Sequence, residues 1–538
     1  MLSKFIPFNL TFLAILLTLA LSPTVFGSNS VVFQPAVIYN SGDRETSSVV
    51  GADINADGKV DLVVVNGCGS GITCLMEGSV AVLLGNGDGT FQPAVKYLSG
   101  GWNASSVAVA DVNGDNKLDI VVANECTTRA TFCPGQASIG VLMGNGDGTF
   151  QPVATYSSGG WNANSVIVGE VNADGKPDIL VANGCASAVD CSNNGAVAVL
   201  LGNGNGTFQP AALYSSGGAG ATSAVIADIN GDGKSDVLVA NCGCHNGSFF
   251  NSGSIGVLLG NGDGSFRAAV DYDSGGPSPW GLAVADLNDD GRTDLVVTNS
   301  CWCLGHGTVA VLLSNGDGTL QSAVTYDSGG NLPFSIVIAD LNGDGISDLT
   351  VANRCRDSDC GADATGILLG KRDHTFETVV VFDAGGDFAN SVAVADMNDD
   401  HKPDLLTAIN GGVGVLLNNS ASVDSTPPVI TLFVAPRILW PPNGKMVRIT
   451  VSGLVTDAGS GVDPTSATYV VTDEYAEVQP RGVITLSSEG RYSFVILLRA
   501  SRHGSDLNGR KYRIRIRAKD NAGNPGFATA MITVPHQR

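Results

Sequence analysis

Basic residues are scarce through most of this chain. Residues 28 to 424 hold 14 Lys and Arg against 43 Asp and Glu, a balance that excludes nucleic acid as a partner because the phosphate backbone would be repelled. Histidine is rarer still. The six, His245, His306, His374, His401, His503 and His536, have no recurrent serine or cysteine partner. No metalloprotease helix, nucleotide cradle or nucleophile elbow appears. The chain therefore reads as a binding protein rather than an enzyme. Long apolar runs are also missing beyond the N-terminus, so no later segment is expected to span a bilayer.

The N-terminus itself has Lys4, an apolar run from Leu10 to Leu21, and Val25-Phe26-Gly27 ahead of Ser28. This pattern predicts a secretory signal peptide over residues 1–27, with an uncleaved anchor as the alternative. In either case the remainder is exported, secreted or held at the cell surface. The twelve cysteines fit that compartment. They fall as six close pairs, Cys68/Cys74, Cys126/Cys133, Cys185/Cys191, Cys242/Cys244, Cys301/Cys303 and Cys355/Cys360. Export and even number favour disulfides. The two Cys-x-Cys pairs strain that reading, and a soft-metal site with His245 and His306 is its alternative.

Seven acidic nonapeptides dominate what is present, beginning at Asp53 (DINADGKVD), Asp111, Glu170, Asp228, Asp286, Asp340 and Asp396, at spacings of 54 to 59 residues. That makes this a repeat protein. Residues 91–149 show the plan: FQPAVKY, SGGWNAS, SVAVAD, the acidic loop, DIVVAN, a Cys-bearing loop, SIGVLM and GNGDGT. The apolar runs are short, rich in Val, Ile and Leu, and bounded by Gly, Asn and Asp, so they read as strands. The NGDGT segments read as hairpin turns in which Gly and Asn supply positive φ.

Four antiparallel strands per unit, repeated seven times, predict an all-β fold, a seven-bladed β-propeller of four-stranded blades spanning residues 28–424. A solenoid of hairpins is the structural alternative. The first unit starts with VVFQPAVIY and the seventh ends without a following FQPA segment. The N-terminal strand is thus expected to complete the last blade and leave no open edge.

Within each nonapeptide the first, third, fifth and ninth side chains are oxygen donors, the sixth residue permits a sharp bend, and the seventh carbonyl can turn inward. Hard oxygen donors so spaced suit Ca²⁺. The candidate ligands are Asp53, Asn55, Asp57 and Asp61; Asp111, Asn113, Asp115 and Asp119; Glu170, Asn172, Asp174 and Asp178; Asp228, Asn230, Asp232 and Asp236. The later copies add Asp286, Asn288, Asp290 and Asp294; Asp340, Asn342, Asp344 and Asp348; Asp396, Asn398, Asp400 and Asp404. A repeated metal-free Asx turn is the plainer alternative.

Over residues 31–420 these DxNxDGxxD loops resemble the FG-GAP or VCBS repeats of integrin α-chain propellers and of many exported bacterial proteins. The resemblance implies about seven structural Ca²⁺ sites and an adhesion or recognition role. Departures fall at Asn116 and His401, which replace the sixth-place glycine, and at Glu170, which replaces the first Asp. His tolerates positive φ less well than Asn, which makes the seventh site the weakest.

Strand alternation places the calcium loops and NGDGT turns on one face of the disc. The Cys-bearing and SGGW-type loops share the other, with Trp102, Trp161, Trp280, Trp302, Phe334 and Phe388. That second face is the expected binding face, for an extracellular protein or, alternatively, a glycan stacked on indoles. Its aromatics could equally plug gaps between blades.

After the proline pair in STPPVITL, residues 425–538 alternate in β fashion and carry 14 basic against 8 acidic residues. They predict a β-sandwich, and LWPPNGKM, LRASRHG and AKDNAGN resemble an immunoglobulin-like module. In KYRIRIRAKD, Lys511, Arg513, Arg515, Arg517 and Lys519 should share one strand face and Ile514 and Ile516 the other. The whole is expected to be monomeric.

Overall fold

The computed structural model describes residues 31–68, 77–127, 136–187, 195–243, 252–300, 307–357, 362–420, 426–457, 461–475, 477, 479–487, 489–504, 506–520 and 524–536. Two compact units divide it, Val31–Thr426 and, beyond the proline pair, Pro427–Arg538. Among the described residues no helix is long and apolar enough to cross a membrane. The signal-peptide expectation lies outside the described residues, as do Trp302, one cysteine of five pairs, both of Cys301/Cys303, and His245 and His306 of the soft-metal alternative.

The first unit is built from seven four-stranded antiparallel sheets. In blade 1 the strands are Arg44–Ala52, Asp61–Cys68, Ser79–Leu83 and Val95–Leu98, hydrogen-bonded in that order. The other inner strands are Trp102–Ala110, Trp161–Gly169, Ala221–Ala227, Pro279–Ala285, Asn331–Ala339 and Ser391–Ala395. Each meets the inner strands on either side of it, and the last meets the first, so the ring closes. The seventh sheet takes Val37–Asn40 as its outer strand, with Val37 opposite Val415 and Asn40 opposite Gly412. The N-terminal segment completes the final blade as expected, which excludes the solenoid.

The core lies between blades. Both faces of each sheet are covered, so strands such as Asp119–Cys126 are buried almost throughout. One cluster joins Val63, Val65, Val80 and Val82 of blade 1 to Val107, Ile120, Val122 and Phe150 of blade 2, and burying each such side chain stabilises by about 1.5–3 kcal/mol. The recurrent Phe after the GDGT turn packs edge-on against the outer-strand Tyr of the preceding blade, as in Tyr97–Phe150 at 5.4 Å and Tyr214–Phe266 at 5.4 Å. The SGG turns between blades are tied down by buried asparagines: Asn124 Nδ2 donates to the Ser99 carbonyl at 3.1 Å and Asn353 Nδ2 to that of Ser328 at 2.8 Å. In the GDGT turns the positive φ falls on the two glycines, Gly87 and Gly89 in the first, and not on Asn86.

The inner strands share an entry device that their sequences do not advertise. In six blades the register shifts by one residue near the strand start, between Thr46 and Ser48 or Ala104 and Ser106, for example. Two residues before the extra one the backbone is left-handed: Glu45, Asn103, Asn162, Gly220, Ser278 and Leu332, with Phe388 in the seventh blade. Such bulges re-aim a side chain. Ser47 Oγ donates to the Ala104 carbonyl of the next blade at 2.5 Å, and Ser105 Oγ to Ala163 at 2.5 Å. Asn164 Nδ2 donates to Ala221 at 2.7 Å and Thr222 Oγ1 to Pro279 at 2.9 Å. Asn390 Nδ2 donates to Thr46 at 2.8 Å across the closure.

The second unit is a two-sheet sandwich. Val429–Ala435, Met446–Thr456 and Arg491–Arg499 form one sheet; Arg481–Val483, Thr468–Asp473, Arg510–Lys519 and Pro525–Val534 form the other. They share a core that includes Ile449, Val451, Ile496, Tyr512, Ile514 and Ile532. Arg513, Arg515 and Arg517 are exposed and alternate with buried Ile514 and Ile516, as the sequence predicts. Arg510 departs from the pattern by being buried; its Nε donates to Asp473 Oδ2 at 3.0 Å and its Nη2 to Glu477 Oε2 at 2.5 Å.

Candidate metal loops and a central pocket

All seven acidic loops connect an inner strand to the second strand of its blade. Their concave geometry comes from two left-handed residues. The sixth place was foreseen; the fourth was not, and it is held by Ala56, Gly114, Ala173, Gly231, Asp289, Gly343 and Asp399. Asn116 and His401 adopt the same φ as the glycines they replace, at 63° and 62°. The seventh loop therefore keeps its bend.

The side chains expected to hold a cation do converge. In the first loop Asp53 Oδ1 and Asn55 Oδ1 both accept from the Asp57 N–H at 3.0 Å, Asp53 Oδ2 accepts from the Gly58 N–H at 2.8 Å, and Asp57 Oδ1 accepts from Lys59 N–H at 3.0 Å. Asp111, Asp228, Asp286, Asp340 and Asp396 repeat the pattern of the first place. Asn113, Asn230, Asn288, Asn342 and Asn398 repeat that of the third, bonding the amides of Asp115, Asp232, Asp290, Asp344 and Asp400.

Backbone N–H groups thus offset part of the carboxylate repulsion. The seventh-place cation offsets a little more, as in Lys176–Asp174 at 3.3 Å, although such exposed pairs contribute little.

The third loop differs. Glu170 Oε1 accepts only from Asn172 N–H at 3.0 Å, while Asp174 N–H bonds Asn172 at 3.0 Å. The other oxygen, Glu170 Oε2, is buried with no hydrogen-bond partner among the described residues. A buried acceptor left open beside two carboxylates and an amide oxygen fits a hard cation. In the seventh loop Asp396, Asp399 and His401 bring ligand atoms within 4.8 Å of one another.

The ninth place has a second duty that spacing did not reveal. Asp61, Asp119, Asp178, Asp236, Asp294, Asp348 and Asp404 are fully buried. Each bridges two backbone amides. Asp236 Oδ2 accepts from Ile229 N–H at 3.1 Å and Oδ1 from Gly260 N–H at 2.7 Å. This ties the acidic loop to the end of the third strand in every blade, through Gly85, Gly144, Gly202, Gly260, Ser314, Gly370 and Asn418. Burial raises these carboxyls, against the two amide bonds, up to about 7 at Asp348 and about 6 at Asp404.

On the opposite face Cys126, Cys185, Cys242 and Cys355 are buried. Trp102, Trp161 and Trp280 are half-buried, and the Nε1 atoms of Trp161 and Trp280 are fully enclosed, as side chains that plug gaps between blades would be. Among the described aromatics of this face only Phe388 is exposed, at 36%.

These aromatics are not spread evenly. Trp280 and Phe334 stack at 4.4 Å, and Arg354 lies over Phe334 and Phe388, each 5.2 Å from the ring centroid. They form one wall of a pocket of about 660 Å³ to which all seven inner strands contribute. Its remaining wall is polar, with Ser48, Ser106, Ser165, Ser223, Ser335 and Ser391 from six blades. Glu45 and Glu125 also line it. Burial pushes Glu125 up; Asn103 opposes this and the charge of Glu45 adds to it. Burial pulls Arg354 down, opposed by Glu45.

Glu45, Glu125 and Arg354 were missed by reading the repeats for likeness. The signal lay in their differences: the residue after the buried Asn is Gly67, Gly184, Cys242 or Ser300 in blades 1, 3, 4 and 5 but Glu125 and Arg354 in blades 2 and 6.

The family model of the FG-GAP-like repeat matches residues 53–122, 131–181, 185–239, 247–297 and 301–351. A phosphatidylinositol-glycan-specific phospholipase D of Rattus norvegicus is 31% identical over 147 residues, 24% of this chain and 17% of its own length. This chain thus spans about a sixth of that relative. Among solved structures, the periplasmic gluconolactonase PpgL of Pseudomonas aeruginosa aligns over 63% of this chain and 85% of its own at 16% identity, with a TM-score of 0.42.

Proposed function

Because the chain belongs to the FG-GAP-like repeat family, we propose that it is an exported, Ca²⁺-stabilised recognition propeller, a binder rather than an enzyme, working as a monomer. The observation that carries this reading is the sevenfold convergence of acceptor oxygens at one face, joined to a shaped pocket at the opposite one. In each loop the first, third and fifth side chains and the buried ninth Asp would hold the ion. Bound there, Ca²⁺ supplies fixed positive charge that pulls the carboxyl pKa values down and locks the hinge between inner and second strands. The paired cysteines would staple the outer ends of the blades, and the sandwich would serve as an immunoglobulin-like module.

Protein adhesion and carbohydrate recognition both suit such a disc. The pocket favours carbohydrate, since its volume falls within the range of small-ligand sites and its walls combine aromatic faces with hydroxyls. Chelation tests the calcium part: EDTA should lower the melting temperature and added Ca²⁺ restore it, and an unchanged curve refutes it. A glycan array tests the rest. Bound glycans support the carbohydrate reading, whereas an empty array with a protein recovered by pull-down supports adhesion.

A further inference from the structure

The ring is sevenfold in backbone but not in chemistry at its centre. In five blades the residue at the strand entry, the bulge's extra residue Ser47, Ser105, Asn164 or Thr222 and the corresponding Asn390 in blade 7, donates to a carbonyl of the next blade. At the same place blades 5 and 6 carry Trp280 and Phe334; a phenyl ring has no donor, Trp280 Nε1 finds no partner among the described residues, and the two rings instead pack on one another at a 30° tilt. Two junction hydrogen bonds have been exchanged for an aromatic wall. Where a sequence breaks its own local rule without a structural gain, a functional site is the first explanation.

Two more departures converge on that wall. Phe388 places an aromatic ring at the left-handed position that every inner strand shares, and that ring meets Arg354. Arg354 stands where blades 1 to 5 have Gly67, Glu125, Gly184, Cys242 and Ser300, and is the one cation at this place. Its Nε is buried without a hydrogen-bond partner among the described residues. A guanidinium held between two rings, desolvated and pre-oriented, suits a planar carboxylate. Trp280 and Phe334 offer apolar faces. The serine hydroxyls and the Glu125 carboxyl offer donors and acceptors for alcohol groups.

We propose that this central pocket, at blades 5 to 7, binds a carboxylated sugar, a uronic acid unit whose carboxylate meets Arg354 while its ring lies against Trp280 and Phe334. This rests on the recognition reading above and deepens it. The serines and Glu125 then address the sugar hydroxyls.

The test compares tri-galacturonate with neutral galactotriose by calorimetry on the full exported chain in Ca²⁺. The acid should bind and the neutral sugar should bind about 10- to 100-fold more weakly, the worth of a charged hydrogen-bonded contact. R354Q should remove that preference, and W280A should weaken the acid by about tenfold or more through lost stacking. R515Q, on the exposed basic strand of the sandwich, should change nothing. Melting curves with and without Ca²⁺ verify that each variant folds; should W280A fail, F388A replaces it.

Equal binding of acid and neutral sugar overturns the proposal. So does acid binding lost in R515Q but kept in R354Q, or no binding of either sugar. A chain whose melting still responds to Ca²⁺ in those cases keeps the calcium-stabilised propeller and loses only this ligand.

Discussion

Asp236 has a structural duty read from its hydrogen bonds, and the proposed calcium site would give the same carboxylate a second. Replacing it with Ala removes the acceptor of two buried backbone N–H groups, those of Ile229 and Gly260, at 3.1 and 2.7 Å. Both residues are buried, so neither amide finds solvent. Each orphaned donor costs about 1–3 kcal/mol, giving about 2–6 kcal/mol in total. Asp236→Asn keeps one acceptor oxygen and sets its NH₂ against the other amide, so about half of that loss is expected. These losses come from hydrogen bonding alone and must persist in EDTA.

A metal duty adds to them only when Ca²⁺ is present, where the parent gains about 3 kcal/mol at a hundredfold excess over Kd and the variant does not gain it at that loop. Urea denaturation of parent and both variants, in EDTA and in Ca²⁺, separates the contributions. A loss below about 1 kcal/mol for Asp236→Ala in EDTA would refute the structural duty. An identical loss in both buffers would refute the metal duty.

Two further outcomes follow from buried charge. Asp363 is fully buried, with Oδ1 accepting from Ala384 N–H at 3.2 Å and Oδ2 without a partner among the described residues. Burial, against that bond and with Asp383 adding to it, raises its carboxyl to about 6. The folded chain keeps this proton between pH about 4 and about 6 where the unfolded chain has lost it, so the stability it contributes in acid is lost as pH rises through that window. Asp363→Asn should flatten the slope and be the more stable protein at pH 8, by about 3 kcal/mol at most; an unchanged pH profile contradicts this. In the sandwich, Arg510→Met strands the buried Asp473 carboxylate and should cost about 3–5 kcal/mol, while the double change with Asp473→Leu should recover most of it. A single variant as stable as the parent would show that the pair is not holding the strand.

The parts of this molecule that were legible in sequence are those that repeat. Strand runs such as DIVVAN, the acidic loops and the GDGT turns recur in register, and every copy reports the same backbone requirement. The closing strand was legible too, since FQPA opens the first unit and is absent after the last. The left-handed fourth place was hidden because Ala56 and Ala173 occupy it despite a preference against that conformation, which the buried bridge from the ninth Asp enforces. The bulge clamps were hidden for a different reason. Ser47, Asn164 and Asn390 look like ordinary polar residues at a strand entry, and their partner carbonyls lie 57, 57 and 344 residues away in the chain.

Reading repeats for likeness also suppresses what is unlike. A propeller gains its rigidity from the positions where seven units agree, and a ring of equal blades presents only equal walls to anything at its axis. Discrimination between ligands needs inequality, so it must come from positions where the blades differ while facing the same space. Trp280, Phe334, Arg354 and Glu125 meet both conditions, and a comparison of repeats by difference finds them where a comparison by consensus averages them away.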